Sequence, residues 1–181
     1  MSVTWPHIIE DNFLNREHYK QLFQYRDLNL KSDTDIAIIK NKIWIDGRTE
    51  GQLPAEYLVE FEKYYSKKMH SYLEKLAPEK VPSIKWMELN LVFTGKNCKF
   101  PIHEDSPNKL LSVVVYLYPK VNTGTILYSD ENGNDKTVVD WTPNRALIFS
   151  REAGVTWHSY EGDGISTRYA LVANLRSDVP E

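Results

Sequence analysis

Residues 103–118 read HEDSPNKLLSVVVYLY: a His-x-Asp pair and, three residues on, a mostly apolar run from Lys109 to Tyr118. A valine-rich run of this length reads as a β-strand. Residues i and i+2 of an extended segment point to the same side, so His103 and Asp105 can both reach one ion. A neutral imidazole nitrogen and a carboxylate oxygen suit a borderline divalent metal. A third protein ligand would complete one face of an octahedron and leave three positions open. His158 is the candidate, placed after Val155 and Trp157 at the end of a predicted strand over 155–158.

Working outward, the chain after Pro82 is rich in short strand patterns at 84–93, 110–118, 125–128, 136–139, 145–149, 155–158 and 166–175. Turn-forming clusters at 122–124 and 132–134 separate some of them. The first half is partly helical. Pro54 stands in the first turn of a helix over 54–76, whose Tyr57, Leu58, Phe61, Tyr64, Tyr65, Met69, Tyr72, Leu73 and Leu76 form a broad apolar face, and Pro78 lies just beyond its end. Asn15 is a plausible N-cap for an earlier helix carrying Tyr19, Leu22, Phe23 and Arg26, with an extended entry from Thr4 to Ile9 before it and Leu28 and Leu30 leading out. Ile36, Ile38, Ile43 and Ile45, interrupted by Lys40, Asn41 and Lys42, read as a hairpin or a partly exposed strand.

The pattern predicts an α+β fold: a double-stranded β-helix core (a cupin-like jelly roll) with N-terminal helices packed on one sheet. One domain is expected over 1–181, with 1–82 as helical cover and extra strands and 83–176 as the catalytic core.

Ten residues after His158 stands Arg168, on a strand that alternates Tyr169, Leu171 and Ala173 with Arg168, Ala170 and Val172. An arginine facing inward among apolar neighbours needs an anion, because a buried unpaired charge costs about several kcal/mol. A dicarboxylate could supply it, gripped by two parallel hydrogen bonds.

Composition limits the alternatives. A net charge of −3 over 181 residues gives no general attraction to phosphate backbones, so no nucleic acid partner is indicated. Cys98 is the only cysteine, which excludes an internal disulfide and a thiolate-rich zinc site. No apolar run approaches the ~18 residues of a membrane span, and a cytoplasmic, non-membrane protein is the expectation.

The order His103-x-Asp105, His158, Arg168 resembles the 2-oxoglutarate and iron(II)-dependent dioxygenases, in particular the prolyl 4-hydroxylase-like branch. Lys109–Tyr118 resembles the strand after the metal pair. Gly124-Thr-Ile-Leu-Tyr128 resembles a Gly-Gly-x-Leu turn, with Thr123 in place of the first glycine. Pro143–Ser150 followed by Trp157-His-Ser159 resembles the segment leading to the distal histidine. The likeness covers about 89–176. It implies an oxygenase that hydroxylates an unactivated C–H bond with release of succinate and CO2. Iron(II) would be held by His103, Asp105 and His158. 2-Oxoglutarate would be held by Arg168 with help from the Tyr116 hydroxyl. O2 is the oxidant and ascorbate an optional addition. Phe93 and Ala170 stand where some relatives carry a hydroxyl.

The implied substrate is a small molecule or a peptidyl group, with peptidyl proline leading. Two alternatives remain open: a non-catalytic jelly-roll binding module, and a cupin-like metalloenzyme that does not use 2-oxoglutarate. His7, His18 and His70 lack partners at ligand spacing and read as surface or helix-face residues. Glu104, Arg151 and Glu152 read as solvated rim residues, and Asn90 as a candidate for the barrel interior.

Overall fold

The computed structural model describes residues 5–26 and 30–178, so Thr4 and Leu28 lie outside the described residues. Two antiparallel sheets face each other. The larger runs in the order β1 (Ile8–Glu10), β10 (Ala146–Phe149), β7 (Lys109–Tyr118), β12 (Arg168–Arg176), β5 (Trp86–Thr94), β3 (Asn41–Trp44), β4 (Thr49–Gly51), with β2 (Ile36–Ile39) also paired to β5. The smaller runs β6 (Lys99–His103), β11 (His158–Glu161), β8 (Thr125–Leu127), β9 (Thr137–Val139). This is the expected α+β jelly roll.

Strict alternation divides the large sheet into two faces. Met87, Leu89, Leu91 and Phe93 on β5 and Tyr169, Leu171, Ala173 and Leu175 on β12 turn outward into one apolar cluster beneath the helices. Glu88, Asn90 and Val92, with Arg168, Val172 and Asn174, turn inward and line a cavity between the sheets. Trp5, Tyr116, Leu127, Leu147 and Phe149 fill part of the interior as a second cluster.

The outer face is covered by α1 (Arg16–Leu22) and α2 (Ala55–Leu76). α1 starts where the sequence suggested: the Asn15 side chain accepts from the His18 N–H at 2.8 Å. It ends at Leu22, not at Arg26, because the chain tightens into a 3₁₀ turn over 23–25 closed by Arg26 N–H to Phe23 O. His18 is buried in this packing and not at the surface, with Nδ1 2.7 Å from the Tyr65 hydroxyl. On α2, Leu58, Phe61, Tyr65, Met69 and Leu73 are buried at three- and four-residue spacing. Leu73 is fully buried. Leu73→Ala is therefore expected to destabilise the protein by about 2–5 kcal/mol in denaturant unfolding, the range for emptying a packed core site.

The segment 36–45 is not a hairpin. Ile39 opposes Leu91 and Lys42 opposes Glu88, so β2 and β3 keep one register along β5 as a single interrupted strand. Asn41 explains the interruption. Its side chain turns inward, donating to Leu89 O and accepting the N–H groups of Gln52 and Leu53, work a regular ladder residue would leave to the backbone. The hairpin lies one step later, between β3 and β4. Likewise 155–157 is a turn and not a strand: Val155 and Thr156 both donate to Glu152 O, and the strand begins at His158. Among the described residues, eight strands (β5–β12) follow Pro82, where about seven were expected.

Candidate active site

His103 ends β6 and His158 opens β11, and the two residues are direct partners across that pair. Their ring centroids lie 4.3 Å apart. Asp105 follows β6 by two residues. One ligand atom from each of the three lies within 4.8 Å of the others. The two imidazoles are oriented alike: Nδ1 of His103 lies 2.9 Å from Pro101 O and Nδ1 of His158 lies 3.0 Å from Thr156 O. A carbonyl partner requires Nδ1 to carry the proton, which leaves both Nε2 lone pairs free for an ion. Burial holds the His158 pKa below its ordinary value against the opposing pull of Asp105. That favours the neutral, ligating form.

Asp105 is fixed from several sides. Lys109 Nζ is 2.6 Å from Oδ1, Ser112 donates to Oδ2, and Arg151 Nε donates to the Asp105 carbonyl at 2.7 Å. Burial alone would raise its pKa, but Lys109, His158 and these hydrogen bonds hold it at about 2. Arg151 also pairs with Glu104 at 3.1 Å, and Glu104 accepts from the Gly154 N–H. Glu104 and Arg151 are thus a brace between the Asp105 loop and the turn before His158, not solvated rim residues.

Arg168 lies in the same cavity of about 290 Å³. It is 2% exposed, and no carboxylate among the described residues reaches it. Nε donates to Thr123 O at 3.3 Å, while one terminal nitrogen has no hydrogen-bond partner among the described residues. Three rings surround the guanidinium: Tyr160 at 4.9 Å, Trp141 at 5.2 Å and Tyr116 at 5.5 Å. Burial pulls its pKa below the ordinary range. An anion entering this end would meet a preformed and otherwise unmatched charge.

Gly124 keeps this end closed. A Cβ there would sit 1.7 Å from Val139 O, so only glycine lets the chain beside Thr123 pass β9. Tyr116 is fully buried, and its hydroxyl is engaged with Thr125, donating to Oγ1 and accepting the N–H, each at 2.9 Å. Thr125, not Tyr116, lines the cavity. Phe93 stacks on Tyr169 at 4.6 Å and faces the helices, so a tyrosine there would not reach the pocket.

The sequence left several lining residues unremarked. Phe100 and Tyr160 form a parallel stack at 4.8 Å on the small sheet, with Tyr160 over Arg168. At the other end Glu88 accepts from Arg176 and Asn174. Burial alone would raise the Glu88 pKa, but Arg176 and the amide donors bring it below 4.5. A carboxylate lowered on folding contributes stability above its unfolded pKa and loses it as pH falls through the folded value. Glu88→Gln should cost about 1–3 kcal/mol at pH 7. The gap to the parent should close in unfolding experiments run below pH 4.5.

The α+β jelly roll is the fold of solved prolyl hydroxylases and of a 2OG-Fe(II) oxygenase family protein, and the chain shares that fold. It is similar to a prolyl-4-hydroxylase from Pseudomonas putida, with 18% identity and a TM-score of 0.61 over 97% of this chain and 95% of that one. It is also similar to a Trichoplax adhaerens prolyl hydroxylase in complex with a hypoxia inducible factor peptide fragment, with 17% identity and a TM-score of 0.63 over 95% and 84% of the two chains. A 2OG-Fe(II) oxygenase family oxidoreductase from Burkholderia pseudomallei matches at 13% identity and a TM-score of 0.60 over 94% and 84%. No family profile and no curated protein sequence matches the chain. No described helix is long and apolar enough to cross a membrane.

Proposed function

We propose that the protein is a 2-oxoglutarate- and iron(II)-dependent oxygenase that hydroxylates an unactivated C–H bond. His103, Asp105 and His158 hold the metal and Arg168 holds the distal carboxylate of 2-oxoglutarate. The observation that carries this is the meeting, in one cavity, of a His/Asp/His donor set and a buried guanidinium without an anion. Two imidazole nitrogens and one carboxylate oxygen suit iron(II) and leave a facial set of open positions. Bound iron(II) would supply dioxygen activation, coupling oxidative decarboxylation of 2-oxoglutarate to hydroxylation of the substrate.

The chain's own residues bind and orient. Arg168 neutralises and aligns the co-substrate at the closed end, while Thr125 and Tyr160 present polar groups beside it. Tyr116 acts through Thr125, which its hydroxyl fixes, and through its ring against the guanidinium. A non-catalytic module would leave the Arg168 charge buried to no purpose.

Peptidyl proline is the leading substrate, supported by the likeness to two prolyl hydroxylases, one of them bound to a peptide. The test is succinate formation from 2-oxoglutarate. Slow turnover that requires both iron(II) and oxygen is expected even without a primary substrate. Complete absence of succinate with iron-loaded, folded protein and a panel of proline peptides, amino acids and nucleosides would refute the proposal.

A further inference from the structure

The end of the cavity away from Arg168 contains two buried side chains that neither metal nor 2-oxoglutarate requires. Register across the large sheet places Ser112, Asn174 and Glu88 in one row and Val114, Val172 and Asn90 in the next. Ser112 donates to Asp105, so the first row abuts the metal ligands. Asn174 is fully buried and Asn90 is 8% exposed. Asn174 Nδ2 donates to Glu88 at 2.6 Å, and Asn90 stands two residues from Glu88 on the same face of β5. Glu88 can only accept, so it turns the N–H side of Asn174 toward itself. Among the described residues no donor reaches the buried amide oxygen of Asn174 or that of Asn90.

Two unmatched acceptors in one pocket wall are uncommon in folded proteins, where buried polar groups are almost always paired. The cations nearby do not match them. Arg176 bonds Glu88, Asn108 and Ser106, and Lys109 bonds Asp105. Lys40 also lines the cavity, but no described donor reaches either amide oxygen.

We propose that Asn90 and Asn174 select the primary substrate, accepting hydrogen bonds from an amine or amide N–H that it carries close to the oxidised carbon. This rests on the oxygenase reading and adds a substrate class to it. The cavity of about 290 Å³ lies at the lower limit for small-molecule sites and must also admit 2-oxoglutarate. The donor therefore belongs to a small molecule or to one residue inserted from a peptide. A free amino acid offers an α-amine, and a peptide offers a backbone amide. Recognition by buried polar groups discriminates strongly, because a substrate lacking the N–H leaves both acceptors unpaired.

The test uses the full chain loaded with iron(II) and 2-oxoglutarate. Free L-amino acids and the same residues in end-capped tripeptides are each offered beside counterparts whose amine or flanking amides are fully methylated. Succinate release should be stimulated by an N–H-bearing probe and not by its methylated partner. Stimulation by free amino acids assigns the amine, and stimulation by capped peptides assigns the amide. Asn90→Leu should raise KM for the stimulating probe about tenfold or more, with no matching rise in KM for 2-oxoglutarate. Its Tm should hold or increase, since a buried unpaired acceptor is removed, whereas a purely structural asparagine would give a lower Tm. Asn90→Ala, which withdraws the acceptor without adding bulk, is the second variant should leucine not fit.

Equal stimulation by methylated probes, no stimulation by any N–H probe, or an unchanged probe KM in Asn90→Leu and Asn90→Ala would overturn the inference alone. A parent chain that makes no succinate under any condition would remove the oxygenase reading and this inference with it.

Discussion

Arg168→Ala is expected to raise the 2-oxoglutarate concentration needed for half-maximal succinate formation by about a hundredfold or more, while iron(II) affinity stays near that of the parent. The magnitude follows from losing a charge-assisted pair worth about 2–4 kcal/mol in a desolvated site. The geometry also predicts an unusual companion effect. Arg168 is 2% exposed with one terminal nitrogen unpaired, so the ligand-free protein carries the cost of an unmatched buried charge. Removing the guanidinium should leave the ligand-free Tm unchanged or higher, although cavity formation offsets part of the gain. The two effects should be measured on the same preparation. A variant that keeps the parent's KM for 2-oxoglutarate would exclude Arg168 from co-substrate binding, and equal losses of iron and 2-oxoglutarate would indicate misfolding.

The second large effect concerns Asp105. It supplies the only negative charge among the three clustered ligands. Asp105→Ala should lower succinate formation by at least about a thousandfold, the scale of several kcal/mol that a bound metal contributes. Iron retained after desalting should fall with it, as it should in His158→Ala. The two variants are expected to differ in stability. Asp105→Ala also strands Lys109, whose side chain is 18% exposed and 2.6 Å from the lost carboxylate, whereas His158→Ala leaves no charge unpaired. Chemical denaturation should therefore find Asp105→Ala the less stable. Iron content and turnover at parental levels in either variant would remove that residue from the metal site.

Much of this was legible in the sequence because alternation carries direction. His103 and Asp105 share a side by i,i+2 spacing, and Arg168 faces inward opposite Tyr169 and Leu171 on the same principle. The α2 stripe was equally clear. Legibility failed where pairing depends on distant strands. β6 offers only Phe100 and Ile102 between Lys99, Pro101 and His103, too brief an alternation to stand out, and it lies at the edge of a small sheet whose partner begins at His158. The break at Lys40 looked like a turn because side-chain bonding by Asn41 leaves no local signature.

The cavity wall was the least visible part. Glu88, Asn90, Ser112 and Asn174 alternate correctly with apolar neighbours, but only the register of three strands brings them into adjacent rows. Tyr160 meets Arg168 from the opposite sheet, which no local pattern encodes. Tyr116 shows the converse limit: the resemblance set its hydroxyl beside Arg168, but not that Thr125 would occupy it.

The central claim is that one cavity holds iron(II) and 2-oxoglutarate together. Its most direct test is the visible absorption spectrum of the anaerobic protein titrated with iron(II) and then with 2-oxoglutarate. A charge-transfer band that appears only when both are present, and that is lost in His158→Ala and weakened in Arg168→Ala at equal 2-oxoglutarate, is the predicted result. Absence of any such band in folded, iron-loaded parent protein would contradict the account.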